Sequence, residues 1–220
     1  RITIDGSLQK GVSAKDVILA IIKKITVNGG TNKVIEFVGS TVDSFTMSER
    51  MTLCNMVVEA GATNGIMHMT PVVREYLKGR AKRSFEEVTT DEDFVYHRSI
   101  KYKAEELSSM VAFPHRPDNV HSINKAKSDS IRVDQVYVGS CTGAKFEDIS
   151  TVATTLEGKS VADNVRLMVV PASMDIYRRM VDSGVMSVLM SAGAVIESPG
   201  CKACFGAHGG GLGDDEGCLS

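Results

Sequence analysis

Tryptophan is absent and aromatic residues make up only 5% of the 220-residue chain, whereas Gly (20) and Met (11) are generous. That balance speaks against a β-sandwich, whose core leans on large rings, and suits an α/β protein with tight loops. An excess of one charge is missing too. The 25 Lys and Arg nearly balance 27 Asp and Glu, for a net charge of −2, so there is no broad basic surface of the kind that nucleic-acid phosphates require. Long apolar runs are also lacking. Residues 17–22 and 185–196 are the longest, and both are too short or too polar to cross a bilayer.

Five cysteines, an odd number that includes a C-x-x-C pair, with no recognisable secretory leader, point to a reducing, cytoplasmic setting. The hydrophobic fraction of 43% and charged fraction of 24% are those of an ordinary globular protein. At this length one large or two modest domains can each bury a core. The chain opens at Arg1 directly into strand-like sequence (Ile2, Ile4) and ends at Gly217-Cys218-Leu219-Ser220. It reads as the central piece of a longer protein, trimmed at both ends.

Hydrophobic period places the elements. Residues 12–26 carry an apolar stripe (Val17, Ile18, Ile21, Ile22, Ile25) behind Ser13 and Asp16, which predicts a capped helix stopped at Asn28-Gly29-Gly30. Residues 33–39 and 66–69 predict strands, and 71–78 a helix opening on Pro71. Residues 48–60 predict a buried helix with a methionine face (Met51, Met56) closed by Gly61. Residues 80–96 read as charged surface with a short helix, and 112–120, with two prolines, as a connector or site loop.

Beyond a boundary near 122–128 the alternation is cleaner. Strands are expected at 135–138, 167–171 and 194–197, helices at 147–156 and 174–183, and a helical or turn-like stretch at 185–190. The fold class is therefore α/β, two largely parallel units of mostly three α/β/α layers, divided as 1–124 and 125–220.

Three cysteines carry the chemistry. Cys141 lies in Gly139-Ser140-Cys141-Thr142 where a strand ends and a helix begins. Cys201 and Cys204 lie in Pro199-Gly200-Cys201-Lys202-Ala203-Cys204, amid Gly206, Gly209, Gly210 and Gly211. Both features fall where open α/β sheets place ligands. Three thiolates can hold three corners of an iron–sulfur cluster and leave one iron open as a Lewis acid, whereas electron-transfer clusters normally take four cysteines. Taken alone, Cys141 reads as a buried structural cysteine, and the C-x-x-C as a redox pair or as half of a zinc site completed by Cys218 or His208. Glu59, in Cys54-Asn55-Met56-Val57-Val58-Glu59, is a carboxylate in an apolar setting that must find a partner, shift its pKa, or face water. Asn55 would share its helix face. His115 and His121 flank the proline loop as candidate ligands or acid–base groups, more ordinarily plain loop residues.

Together these segments resemble the aconitase family, in particular its 3-isopropylmalate dehydratase and homoaconitase large-subunit type. The resemblance rests on residues 11–19, on Cys54-Asn55-Met56 with Glu59-Ala60-Gly61-Ala62, on Gly139-Ser140-Cys141-Thr142 with Glu147-Asp148, and on Pro199-Gly200-Cys201 with Cys204, in family order across nearly the whole chain. It implies a [4Fe-4S] cluster on Cys141, Cys201 and Cys204, with Glu59 at the hydroxyl on the open iron and Asn55 beside it. The implied reaction is dehydration and rehydration of a hydroxy di- or tricarboxylate: isopropylmalate, homoaconitate, dimethylmalate or citrate. The sequence at 114–120 favours the short dehydratase type, and hence leucine biosynthesis.

Gly143 departs from the Asn usual in the family. The His and Asp acid–base motifs of the first domain, a later Asn-Arg segment and the swivelling domain with its serine base are not in these 220 residues. The resemblance therefore implies a separate small subunit as partner and no turnover by this stretch alone. A cluster-free RNA-binding protein and a structural zinc domain are the alternatives.

Overall fold

The structure is a computed structural model and describes residues 1–206 and 208–220. The chain forms two compact units, Arg1–Ser128 and Asp129–Ser220.

The first unit is built on strands β1 (Ile2–Asp5), β2 (Val34–Val38), β3 (Asn64–Met67) and β4 (Ile100–Lys103), all parallel, in the order β3-β2-β1-β4. Helix α1 (Ala14–Ile25) buries the expected stripe completely or nearly so. It begins where Asp16 Oδ2 accepts from the Ser13 amide at 2.7 Å and from the Ser13 hydroxyl at 2.9 Å. The other Asp16 oxygen accepts from the Met110 amide at 2.7 Å, so the same carboxylate ties the helix start to the later hairpin. Lys23 and Lys24 fall in the last turn, where cations suit the helix dipole. Alternation along the strands puts Ile2, Ile4, Ile35 and Phe37 in the core with this stripe. Each fully buried side chain of that size contributes about 1.5–3 kcal/mol.

Helix α2 (Ser40–Ser44) follows β2. Helix α3 (Met47–Met56) opens on a true capping box, with the Glu49 amide donating to Thr46 Oγ1 and the Thr46 amide donating to Glu49 Oε2 at 2.8 Å. It ends four residues before the expected point. Val57–Ala60 tighten into a 3-10 turn, closed by Gly61 in the left-handed region (φ 77°). Helix α4 (Pro71–Leu77) has its proline at the start, as expected.

No helix forms in residues 81–99, contrary to the reading of that stretch. It is instead pinned to the sheet through Glu36, which accepts from the Thr90 hydroxyl at 2.6 Å and from the Tyr96 hydroxyl. Strands β5 (Met110–Ala112) and β6 (Val120–Ser122) form an antiparallel hairpin whose connection is the proline-containing loop, and α5 (Ile123–Ser128) ends the unit.

The second unit has strands β7 (Gln135–Gly139), β8 (Arg166–Val170), β9 (Val195–Ile196) and β10 (Cys218–Leu219), parallel in the order β10-β7-β8-β9. Helices α6 (Phe146–Leu156), α7 (Met174–Asp182) and α8 (Val185–Ser191) complete it. Ile149, Ala153, Met180 and Leu189 from these helices form one cluster with Leu167 and Val169, so all three lie on one sheet face. On the other face Tyr137, Met168 and Val170 pack against Ala203. The expected parallel α/β class holds, and here the third layer is the Cys201–Cys204 segment rather than a helix.

The strand-start end of this sheet is fastened by a bidentate pair. Arg166 donates to both oxygens of Glu216 at 2.8 and 2.6 Å, and the Gly213 amide adds a third bond at 2.8 Å. These contacts, the Arg166 hydrogen bond foremost, depress the Glu216 pKa from its ordinary 4.5 to about 2. A depressed carboxylate adds stability above its unfolded pKa and loses it as pH falls toward the folded value. Glu216→Gln is therefore expected to lower the denaturation midpoint of the full chain at pH 7, with the difference from the unaltered protein vanishing between pH 4.5 and pH 2. Urea melts at stepped pH check this, and a pH-independent difference would contradict it.

Candidate metal centre

Cys141 comes two residues after β7. Its loop is tight for a steric reason: a Cβ on Gly143 would stand 2.9 Å from the Gly139 carbonyl oxygen. A side chain there would crowd the turn. The loop is held from below by Lys145, only 5% exposed, whose ammonium donates to the carbonyls of Cys141 at 3.0 Å and Thr142 at 3.3 Å. Burial pulls the Lys145 pKa down, against the opposing pull of Asp148, Cys141 and Glu147. The Lys145 amide meets Asp148 Oδ2 at 3.0 Å and starts α6, and the Ala172 amide donates to the Ala144 carbonyl at 3.0 Å, fixing the loop to the end of β8.

Cys201 immediately precedes, and Cys204 lies within, a single 3-10 turn (Lys202–Phe205) in which the Cys204 amide donates to the Cys201 carbonyl at 3.0 Å. Gly206, at φ 74°, ends the turn. The following glycines allow close approach to the sheet: a Cβ on Gly210, itself at φ 80°, would overlap the Met168 sulfur. Gln135 Nε2 donates to the Gly210 carbonyl at 2.9 Å and holds the rest of the loop down.

One residue touches both cysteine segments. Tyr137, 4% exposed in β7, donates its hydroxyl to the Cys201 carbonyl at 2.8 Å. The ring folds over Gly139, two residues on and on the same strand face, and any Cβ there would overlap it.

None of the five cysteines is in a disulfide, and Cys141, Cys201 and Cys204 are exposed. Cys141 is thus not the buried structural cysteine that it resembles in isolation. Among the described residues no three Cys, His, Asp or Glu side chains converge at metal-bonding distance. What the fold supplies is the donor set: three soft, solvent-reachable thiols on two loops joined by one tyrosine. Cys218 sits elsewhere. It pairs with Gln135, the first residue of β7, at the opposite strand end from Cys141, with its sulfur 3.7 Å from Gln135 Nε2. Cys54, half-buried in the first unit, has its thiol pKa pushed up by burial, an effect that Arg50 only partly offsets.

Glu59 and Asn55 belong to the first unit. Because α3 ends at Met56, Glu59 lies on the 3-10 turn rather than inside an apolar helix, and both side chains face solvent. Burial therefore places no demand on Glu59. His121 is engaged by its neighbours, with its ring 4.9 Å from Phe113 and its Nε2 3.0 Å from Asn119 Oδ1, while His115 is exposed in the hairpin loop. Tyr137 and Lys145 escaped the sequence reading. The detectable signal for Tyr137 was a large ring two residues before a glycine that opens a cysteine loop.

The fold and its loops define a parallel α/β chain with exposed thiols at strand ends. The model of the aconitase family (aconitate hydratase) matches residues 1–220 in full, and the chain belongs to that family. It is 42% identical over 216 residues to a 3-isopropylmalate dehydratase large subunit 1 of Pyrococcus furiosus, covering 98% of this chain and 51% of that protein. It is 39% identical over 222 residues to a 3-isopropylmalate dehydratase large subunit of Wolinella succinogenes (100% and 53%). It is likewise 39% identical over 220 residues to a probable methanogen homoaconitase large subunit of Methanosarcina mazei (100% and 55%). The chain spans about half the length of these curated relatives. Membership of the family implies an iron–sulfur cluster. Among the described residues no helix is long and apolar enough to cross a membrane.

The packing yields a stability prediction. Gly139→Ala and Gly143→Ala should each cost about 1–3 kcal/mol, the usual range for overpacking. Gly211→Ala, with nothing within 4 Å of its added methyl, should be nearly silent. Urea denaturation of the full chain measures all three, and equal effects would contradict the assigned contacts.

Proposed function

We propose that this chain is the cluster-bearing middle part of the large subunit of a hydro-lyase, which moves a hydroxyl between adjacent carbons of a hydroxy dicarboxylate such as isopropylmalate. The carrying observation is the placement of Cys141, Cys201 and Cys204 as exposed thiols outside any disulfide, on two loops that the same tyrosine touches, in a chain matched by the family model over its whole length. The donor set fits an iron–sulfur group: three thiolates and no fourth cysteine beside Cys141. A cluster held this way supplies a Lewis acid able to polarise hydroxyl and carboxylate oxygens.

The protein's own part is to bring thiolates to one place and proton-handling groups to the substrate. Lys145 holds the Cys141 loop by its carbonyls and sets a cation near that thiolate. Glu59, exposed to solvent, meets the departing hydroxyl and shuttles its proton, with Asn55 as its polar neighbour. The Cα proton is taken by a base outside these residues, on a separate small subunit that is the expected partner. The relatives' printed names, large subunits of a dehydratase and a homoaconitase, support this division of labour. Isopropylmalate is preferred over homoaconitate, citrate or dimethylmalate, and the cytoplasm is the expected compartment.

The test uses the full-length protein with its small subunit, loaded anaerobically and offered each hydroxy acid in turn. Isopropylmalate should be turned over, and Glu59→Gln should lower kcat by about 10²–10⁴-fold, the usual loss of a general acid, with KM little changed. Absence of turnover on every hydroxy acid, or full kcat in Glu59→Gln, would overturn the proposal.

A further inference from the structure

We infer that the Tyr137 hydroxyl is a positioning group for the metal centre, a tie that sets the Cys201–Cys204 turn against the strand running into the Cys141 loop. The inference rests on the assignment of those three cysteines as ligands and adds to it the residue that sets their spacing. The geometry is specific. Tyr137 donates to the Cys201 carbonyl at 2.8 Å, and it stands in β7, which ends at Gly139, just before Ser140 and Cys141. One hydroxyl therefore links the turn that carries Cys201 and Cys204 to the strand that leads into Cys141.

The hydroxyl takes its hydrogen-bond partner from the ligand turn itself. The chain also accommodates the ring at a steric cost elsewhere, since residue 139 must be glycine for the ring to reach across. The ring's own packing, against Met168, Val170 and Ala203, would be served equally by phenylalanine. The hydroxyl is thus the part of the residue that the packing does not require.

Arsenite and phenylarsine oxide separate positioning from packing, and neither needs a loaded cluster. Arsenous acid binds three thiols by exchanging its three hydroxyls for three thiolates with release of three waters. Phenylarsine oxide has only two exchangeable positions and reports the Cys201–Cys204 pair by itself. In the reduced full chain, Tyr137→Phe should weaken arsenite binding about 3- to 10-fold, the worth of an ordinary hydrogen bond, and leave phenylarsine oxide binding unchanged.

Unchanged arsenite binding in Tyr137→Phe would overturn the inference. Equal weakening of both probes would overturn it too, because the hydroxyl would then order the turn alone. The ligand assignment is checked separately by Cys141→Ala. If that variant binds arsenite as well as the unaltered chain, the three thiols do not act together and the assignment itself fails. A Tyr137→Leu variant, which removes the ring as well, should lower the urea midpoint, whereas Tyr137→Phe should hardly move it. That contrast keeps a folding defect apart from a positioning one.

Discussion

The second unit depends on one packing contact: the Cys201–Cys204 segment lying against the sheet face formed by Tyr137, Met168 and Val170. With α6, α7 and α8 all on the opposite face, this face is shielded by a loop, and a loop can lie so close to a sheet only if its residues are small. Ala203 and Gly210 meet that demand. The same contact fixes where Cys201 and Cys204 stand relative to the end of β7, and so relative to Cys141. Core packing and the candidate metal centre are therefore one arrangement, and changes to the glycines should disturb both together.

The first unit follows a more usual logic. A parallel sheet is covered by the fully apolar stripe of α1, and Asp16 both caps that helix and anchors the β5–β6 hairpin. The short α3 and the 3-10 turn after it carry Asn55 and Glu59 outward, while Leu53, Val57 and Ala60 point inward and hold the turn in place. The exposed acid is thus presented on a corner anchored by buried apolar side chains.

Much of this was legible in the chain itself. The stripe from Val17 to Ile25 and the unbroken apolar run of β8 announce their elements because period and burial agree. The two-residue β10 and the four-residue β4 do not, since pairing with a neighbour creates them and no local pattern marks them. The end of α3 at Met56 was hidden because Val57 and Ala60 continue a helical period that the 3-10 turn also satisfies. The cysteines stood out by residue type and spacing. Tyr137 and Lys145 did not, because a strand tyrosine and a helix-start lysine look ordinary until the fold shows what their polar ends touch.

The central claim is that Cys141, Cys201 and Cys204, and no other cysteines, hold an iron–sulfur group. Anaerobic reconstitution of the full chain, with iron, sulfide and zinc counted across a series of single Cys→Ser variants, tests it most directly. The account predicts about four iron and four sulfide per chain, retained in Cys54→Ser and Cys218→Ser and lost in each of Cys141→Ser, Cys201→Ser and Cys204→Ser. About one tightly held zinc in place of iron, or loss of metal with Cys218→Ser but not with Cys141→Ser, would contradict it.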